Sequence, residues 1–156
     1  MEDVKDSLKT VIRAYTSKDL SAVVSIEKLS YISPWGKETF ATVLARKKSG
    51  AIVALLGKKV IGFLVIESLT RTYQILNLAV HPAYRRCSVG STLLDWLEGT
   101  ATRNRRTKIN IEVREGNLSF QLFLRACGYK AVEILSRYYN DTKEDCYRFE
   151  KEIIDI

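Results

Sequence analysis

A basic turn between an apolar strand and an amphipathic helix is the stretch of this sequence best suited to bind a ligand. The strand ends at Val80, and Arg85 to Gly90 lead directly into the helical pattern. Backbone N–H groups at a helix start, together with the helix dipole, favour anions and phosphate above all. Arg85 and Arg86 add positive charge and paired donors. The stretch Asn77–Leu97 therefore predicts a phosphate-binding turn.

Length and composition fit one globular domain. The chain has 156 residues, of which 46% are hydrophobic, which is enough for a single core. No apolar run approaches the ~20 residues that span a bilayer, and the charged start of the chain lacks an apolar signal region. We therefore expect a cytoplasmic protein with one domain over residues 1–156, of which residues 1–10 form a frayed tail.

Metal chemistry and direct nucleic-acid binding are both disfavoured. The cysteines, Cys87, Cys127 and Cys146, have no metal-ligand spacing, and His81 is the only histidine. We expect reduced thiols and no metal site. The net charge of +7 raises affinity for polyanions in general, but the basic residues are spread along the chain. Nucleic-acid binding is therefore the weakest hypothesis.

Hydrophobic periodicity predicts about seven strands and about four helices. The order is strand, two helices, three strands, helix, strand, helix and two strands. The strands are expected at residues 11–15, 51–56, 60–69, 73–80, 108–113, 129–139 and 146–153. Antiparallel strands come first and strand–helix–strand crossovers follow, so we expect an α/β fold with a mixed, mostly antiparallel twisted sheet and helices on both faces.

Two of the helices show a clear pattern. The helix after the basic turn is expected to pack on the sheet through a face that repeats at helical spacing, namely Val89, Leu93, Trp96, Leu97 and Thr100. The last helix is expected to begin after Asn117, a good N-cap, and to end at Gly128.

The order of elements and several motifs resemble the GNAT superfamily of acetyl-CoA-dependent N-acetyltransferases. The turn of that family reads Arg/Gln-x-x-Gly-x-Gly/Ala, and here it reads Arg85-x-x-Ser88-x-Gly90. Further matching motifs follow in order along the chain: Ser33-Pro34-Trp35, Ile111-Glu112-Val113-Arg114, Asn117, Gly128-Tyr129 and Arg137-Tyr138-Tyr139. Together they resemble the RimI-type branch, which acetylates the α-amine of a ribosomal protein.

The resemblance implies acetyl-CoA as co-substrate. Backbone N–H groups of residues 86–91 would cradle its pyrophosphate. The pantetheine arm would bind along the end of the strand expected at residues 73–80, as if it were an added strand. An N–H near Leu78 or Ala79 would polarise the thioester carbonyl. The implied cofactor-binding residues are Leu78, Ala79, Val80, Arg85, Arg86, Cys87, Ser88, Val89, Gly90, Ser91 and Asn117.

The resemblance also implies that Glu112 is the general base, acting through water, and that Trp35, Tyr138 and Tyr139 contact the acceptor. Residues 110 and 114, which alternate with Glu112 along its strand, are also polar. That face of the strand is therefore expected to be wet rather than core. The plain alternative is that Glu112 only pairs with Arg114.

Three residues depart from the family pattern. Leu124 stands where the family has its general-acid tyrosine, Ser88 replaces the first glycine of the turn, and Phe120 replaces a small residue. Losing general acid or base help costs ~10²–10⁴ in rate, but a thiol pKa of ~8.5 makes the loss of the acid mild. Whether turnover is efficient stays open, as does a replacement acid, for which the candidates are Tyr129, Tyr138 and Tyr139.

These patterns predict transfer of an acetyl group from acetyl-CoA to the α-amine of a protein N-terminus, such as that of a ribosomal protein. An α-amine with a pKa of ~8 is partly neutral near pH 7, whereas a lysine at ~10.4 carries a larger penalty, so a weakened acid–base set suits a peptide N-terminus. Two alternatives are a small-amine acetyltransferase and a catalytically weak module that binds acyl-CoA. We expect no membrane partner, and nucleic acid only indirectly through a ribosomal target.

Overall fold

The computed structural model describes residues 9–153 and confirms the predicted order of elements. The strands are β1 (Val11–Ala14), β2 (Ser49–Leu56), β3 (Lys59–Ser68), β4 (Thr72–Val80), β5 (Lys108–Arg114), β6 (Lys130–Leu135) and β7 (Cys146–Glu152). The α-helices are α1 (Leu20–Ser30), α2 (Lys37–Leu44), α3 (Val89–Arg103) and α4 (Leu118–Ala126). The predicted frayed tail lies outside the described residues up to residue 8.

The strands form one mixed sheet in the order β1-β2-β3-β4-β5-β7-β6. β4 and β5 are parallel, whereas β1–β2, β2–β3, β5–β7 and β6–β7 are antiparallel. The predicted mostly antiparallel sheet is confirmed, and β4 lies at its centre. The insertion of β7 between β5 and β6 was not predicted.

By backbone contacts, the chain divides into two compact units. The first contains the chain up to Ser68 together with Asn77–Leu97, and the second contains Leu69–Leu76 together with the chain from Glu98 onward. β4 and α3 each contribute residues to both units. That residues 1–156 act as a single domain stays a prediction.

In the first unit, a glycine in β3 allows close packing beneath the basic turn. A Cβ atom at Gly62 would lie 3.2 Å from the carbonyl oxygen of Ala79 and 3.3 Å from Cγ1 of Val89. A side chain at these distances would require its neighbours to shift, so the glycine allows the start of α3 and the end of β4 to pack closely against β3. The turn that joins β4 to α3 is therefore positioned by packing against β3 at Gly62.

The buried face of α3 differs from the prediction at two residues, Trp96 and Thr100, of which Thr100 is only partly buried. The fully buried side chains are Val89, Leu93, Leu94, Leu97 and Ala101, whereas Trp96 is 40% exposed. At 3.6 residues per turn these five positions form a stripe centred on Leu97, and Trp96 lies at its edge. The prediction that Trp96 packs inward is therefore wrong, and Leu94 fills the core instead.

Candidate active site

The end of β4 presents main-chain groups along the edge that faces away from β3. The register between β4 and β5 ends at Ile75, so residues 78–80 lie beyond it. The N–H of His81 donates to the carbonyl of Ile61 on β3 at 2.8 Å, and the carbonyl of Ala79 also faces β3. Because main-chain groups alternate along a strand, those of Leu78 and Val80 face the other edge. Of the two predicted thioester donors, Ala79 therefore faces β3, and the N–H groups at the open edge are those of Leu78 and Val80.

Arg85 ties the basic turn to the elements beside it. Its Nε donates to the carbonyl of Val80 at 3.0 Å, and its Nη2 donates to Oγ of Ser30 at 3.0 Å. Two of its donors are therefore used inside the protein. The predicted role of Arg85 at a phosphate stays a prediction, and its observed role is to connect the turn with β4 and α1.

The turn before α3 has the backbone geometry of an anion cradle. Arg86 and Ser88 have φ values of 61° and 64°, in the left-handed region, on either side of the buried Cys87. The carbonyl of Ser88 accepts from the N–H of Thr92 at 2.9 Å, as at a helix start. The next three N–H groups, from Val89 to Ser91, have no acceptor within the helix. Alternating left-handed residues followed by a helix start direct several N–H groups toward one point, which suits phosphate.

The backbone explains why a glycine is expected at position 88. A φ of 64° is comfortable for glycine, whereas an ordinary side chain pays roughly 1 kcal/mol to occupy it. The side chain of Ser88 is exposed, so the serine is accommodated without displacing the turn. A sequence pattern cannot reveal this φ, because serine is not a marker of left-handed backbone.

Glu112 lies on the half-buried face of β5, as predicted. Residues 110, 112 and 114 are partly exposed, while the alternating Ile109, Ile111 and Val113 are buried. Nη2 of Arg148 donates to Oε1 of Glu112 at 3.2 Å. Arg114 instead pairs with Asp141, at 2.9 Å. The alternative that Glu112 only pairs with Arg114 is therefore wrong.

The second unit brings Glu112 together with Tyr138 and Tyr139. A hydrogen bond to Glu112 raises the pKa of Tyr138, because the carboxylate holds the phenol proton. The two tyrosine rings meet edge to face at 5.2 Å, and the guanidinium of Arg114 lies 4.0 Å from the centre of the Tyr139 ring. Burial raises the pKa of Tyr139. The predicted base and two of the predicted acceptor residues therefore form one cluster.

Arg148 is the member of this cluster that the sequence did not reveal. It is the cross-strand partner of Glu112 in the β5–β7 register, and its Nη1 also donates to Glu133 at 2.8 Å. No local signal pointed to it, because the pairing of β7 with β5 depends on the sheet order.

The other predicted residues have local partners. Trp35 packs edge to face on Phe40, with ring centres 5.1 Å apart. Asn117 caps α4, and its side chain accepts from the N–H of Phe120 at 3.4 Å. The roles predicted for Trp35 at the acceptor and for Asn117 at the cofactor stay predictions.

The comparison with protein families decides the class. Residues 20–129 match the model of the acetyltransferase (GNAT) family. The chain belongs to the GNAT family. It is therefore an acetyl-CoA-dependent N-acetyltransferase, as the sequence predicted.

Related proteins agree with this assignment. The [ribosomal protein bS18]-alanine N-acetyltransferase of Escherichia coli is 26% identical over 136 residues, which cover 86% of this chain and 91% of that protein. The crystal structure of the ribosomal-protein-S18-alanine N-acetyltransferase from Escherichia coli matches with a TM-score of 0.85 at 23% identity, covering 95% of this chain and 96% of that one. Arabidopsis thaliana NAA60 in complex with acetyl-CoA matches with a TM-score of 0.81 at 16% identity, covering 93% and 99%. The two structures share the fold.

The residues of this GNAT chain fit the two polar parts of acetyl-CoA. The left-handed positions at Arg86 and Ser88 and the helix start after them suit a pyrophosphate. The edge of β4 at Leu78 and Val80 offers main-chain N–H groups to the carbonyl groups of the pantetheine arm, while the carbonyls of these two residues accept from Tyr31 and Arg85. Within residues 9–153, no helix is long and apolar enough to cross a bilayer, and no group of His, Cys, Asp and Glu side chains could hold a metal ion.

Leu124, which the resemblance places at the position of the general acid, is a core residue; that this GNAT chain departs from the family pattern there stays a prediction. The side chain is 0% exposed on α4 and belongs to the core. A buried leucine carries no proton to donate, so any proton for the leaving thiolate comes from another group or from water.

Glu27 is a buried carboxyl group in the first unit of the GNAT fold. It is 2% exposed on α1, and Nδ2 of Asn77 on β4 donates to its Oε2. Burial raises the pKa of Glu27 to about 7, and the bond from Asn77 opposes this shift. The carboxylate therefore costs stability wherever it is ionised.

Glu27→Gln is expected to change how stability depends on pH. The pKa of Glu27 is higher in the folded protein, about 7, than its ordinary value of 4.5, so the native state favours the protonated form. Its contribution is therefore fully present below pH ~4.5 and is lost as pH rises through ~7. The variant should exceed the wild type by about 3 kcal/mol at pH 8 and by less than about 1 kcal/mol near pH 5.

Urea unfolding at both pH values measures this difference. Glu38→Gln, which alters an exposed carboxylate on α2, is the matched control and should give the same change from wild type at both pH values. A Glu27→Gln variant that is less stable than the wild type at pH 8 would contradict the burial argument.

Proposed function

We propose that this acetyltransferase acts on the α-amine of a protein N-terminus, with a ribosomal protein as the acceptor. The observation that carries the proposal is the Glu112 carboxylate, which is bonded to Tyr138 and stands beside the Tyr138–Tyr139 ring pair. A base next to two aromatic rings suits a peptide end, whose first side chains can pack on the rings while its amine is deprotonated. The Escherichia coli relative named for the alanine of a ribosomal protein supports the same acceptor.

In the proposed mechanism Glu112 accepts the proton of the attacking ammonium group through water. The amine must lose this proton before or as it attacks the thioester carbonyl. Arg148 on β7 and Tyr138 in the loop between β6 and β7 both donate hydrogen bonds to the carboxylate. The orientation of the base is thus fixed before the acceptor arrives.

The lack of a tyrosine general acid on α4 favours an α-amine as the acceptor over a lysine. With Leu124 in the core, the leaving thiolate has no tyrosine acid from α4. The pKa of ~8.5 for a thiol makes that loss tolerable. An α-amine with a pKa of ~8 is also easier for the base to deprotonate than a lysine with a pKa of ~10.4.

For the co-substrate, we propose that the pantetheine arm lies along Leu78, Ala79 and Val80. The N–H groups that follow would hold the pyrophosphate, and they belong to Arg86, Cys87, Ser88, Val89, Gly90 and Ser91. Bound acetyl-CoA supplies the activated acetyl group. Trp35, Tyr138 and Tyr139 would contact the first residues of the acceptor, and a ribosomal acceptor implies a cytoplasmic location.

Peptide acetylation tests the proposal directly. The purified protein is incubated with acetyl-CoA and an octapeptide that begins with alanine and carries one internal lysine. The matched control is the same peptide with a formylated α-amine. We expect CoA release and one added acetyl group only with the free α-amine, located by tandem mass spectrometry.

Other outcomes would identify the competing functions. Acetylation of a polyamine but of no peptide would assign a small-amine acetyltransferase. Tight acetyl-CoA binding by calorimetry with no turnover on any amine would assign a binding module. Acetylation of the internal lysine in both peptides would contradict the α-amine proposal.

A further inference from the structure

The last turn of α1 is bonded to the end of β4 at successive points. Asn77 donates its side-chain N–H to the buried Glu27. One residue further along β4, the carbonyl of Leu78 accepts from the hydroxyl of Tyr31. Tyr31 directly follows α1, and its N–H still donates to the carbonyl of Glu27 at 3.1 Å. Two neighbouring residues of β4 are therefore held from the end of α1.

A third connection runs through Arg85. This side chain donates both to the carbonyl of Val80 and to the hydroxyl of Ser30, each at 3.0 Å. Ser30 in turn donates to the carbonyl of Ile26 at 2.7 Å, which fixes its hydroxyl on α1. The same turn of α1 thus reaches the carbonyls of both Leu78 and Val80.

These contacts hold the two peptide units that flank the N–H group of Val80. The unit from Leu78 to Ala79 is held at its carbonyl by Tyr31. The unit from Val80 to His81 is held at its carbonyl by Arg85 and at its N–H by Ile61. The unit between them has its carbonyl toward β3, so the N–H of Val80 points to the open edge. Its direction is set by its two neighbours.

We propose that Tyr31 is a positioning residue for acetyl transfer, and this rests on the proposed function of the β4 edge as the thioester site. Its hydroxyl fixes the Leu78–Ala79 peptide unit and so aims the N–H of Val80 at the thioester carbonyl. Donors to a developing oxyanion act only when they are aimed in advance, and the loss of one costs ~10²–10³ in kcat. A donor that is kept but loosened should cost less, about tenfold.

The buried carboxyl of Glu27 is consistent with this role. An ionised group that is 2% exposed lowers stability, and a leucine or glutamine would cost less there. Its bond to Asn77 fixes the residue that immediately precedes Leu78. The buried carboxylate of Glu27 therefore lowers the stability of the first unit at the point where α1 contacts β4.

Tyr31→Phe tests the proposal, with Tyr73→Phe as the matched control. Tyr73 is a buried tyrosine on the same strand, and its hydroxyl accepts from Nδ2 of Asn104 at 2.7 Å. Both variants lose one phenol hydrogen bond, but only Tyr31→Phe releases the Leu78 carbonyl. Steady-state kinetics and the infrared carbonyl stretch of bound acetyl-CoA, labelled with ¹³C in the acetyl carbonyl, provide the two readouts.

We expect Tyr31→Phe to lower kcat about tenfold, to leave the KM for acetyl-CoA within about twofold, and to move the carbonyl stretch toward that of free acetyl-CoA. Tyr73→Phe should lower thermal stability to a similar extent with kcat and the stretch unchanged. Ser30→Ala, which removes one anchor of Arg85, should move both readouts in the same direction by a smaller amount. This second variant keeps the test decisive if Tyr31→Phe folds poorly.

An unchanged carbonyl stretch in both Tyr31→Phe and Ser30→Ala would overturn the proposal, because a purely structural bond changes stability alone. The spectroscopic readout needs no acceptor. If the wild type acetylates no peptide while the stretch still responds to Tyr31, the proposed acceptor fails and the positioning role stands. If peptides are acetylated and neither kcat nor the stretch responds, the positioning role fails alone.

Discussion

Glu112→Gln is expected to lower kcat by ~10²–10³ while leaving the KM for acetyl-CoA nearly unchanged. The substitution keeps the size of the side chain and its place in the β5–β7 register opposite Arg148. It removes the group that accepts the proton from the attacking amine. The amide can still accept from Tyr138 and Arg148, so the local packing survives. CoA release measured with a thiol reagent gives both constants.

The matched control for this variant is Glu133→Gln. Arg148 donates to Glu133 at 2.8 Å and to Glu112 at 3.2 Å, so each substitution removes one carboxylate from the same guanidinium. Glu133→Gln should leave kcat within about twofold, since exposed ion pairs contribute little and this one touches no reacting group. Equal losses in the two variants would assign the effect to the release of Arg148, and an unchanged rate in Glu112→Gln would remove Glu112 from the mechanism.

The pH dependence of the loss adds a second check on Glu112. A base is needed to remove a proton from an ammonium group, and an α-amine with a pKa of ~8 has already lost it above pH ~9. The gap between Glu112→Gln and the wild type should therefore narrow as pH rises from 7 to 9.5. A gap that stays constant over this range would indicate that Glu112 binds the acceptor rather than deprotonating it.

Local patterns were enough to predict the order of the elements in this fold, although the strand expected at 129–139 ends at Leu135. The alternation of Ile109, Ile111 and Val113 identified β5, and the left-handed Gly128 after α4 agrees with the predicted helix end. These signals depend on residues a few positions apart. The pairing of β7 with β5 connects residues such as Glu112 and Arg148, which lie 36 positions apart, and no periodicity specifies it.

The candidate site also contains features that were recognisable in the sequence and features that depend on the fold. The basic turn was recognisable because its charge and the helix after it are contiguous in sequence. The partners of Arg85 could not be recognised, because Val80 and Ser30, which accept from two of its guanidinium N–H groups, come near it only in the fold. Tyr31 was overlooked for the same reason, since its hydroxyl donates to a main-chain carbonyl 47 positions away. Main-chain acceptors have no signature in the side-chain sequence.

Ser88→Asp is expected to raise the Kd for acetyl-CoA by ~30–100-fold. Position 88 is exposed and its φ of 64° is one that Asp and Asn tolerate better than most residues, so the turn should keep its shape. Two unit charges about 5 Å apart interact by a few kcal/mol at the effective dielectric of a protein surface, less after screening, so a carboxylate at this position would repel a pyrophosphate held by the turn. Isothermal titration calorimetry with acetyl-CoA measures the change.

Ser88→Asn is the matched control, because it has the size and backbone preference of Asp without the charge. Its Kd should stay within about threefold of the wild type. The Asp variant should be at least as stable as the Asn variant, since an anion at the start of α3 interacts favourably with the helix dipole. The substitution thus separates affinity from stability.

The dependence on salt decides what the Ser88 variants mean. A repulsion between exposed charges weakens as ionic strength rises, so the gap between Ser88→Asp and Ser88→Asn should shrink between 20 mM and 500 mM salt. Equal weakening in both variants would show that the serine hydroxyl or the shape of the turn matters rather than charge. Unchanged affinity in both would mean that the pyrophosphate lies elsewhere. In that case the left-handed residues Arg86 and Ser88 would serve only to join β4 to α3.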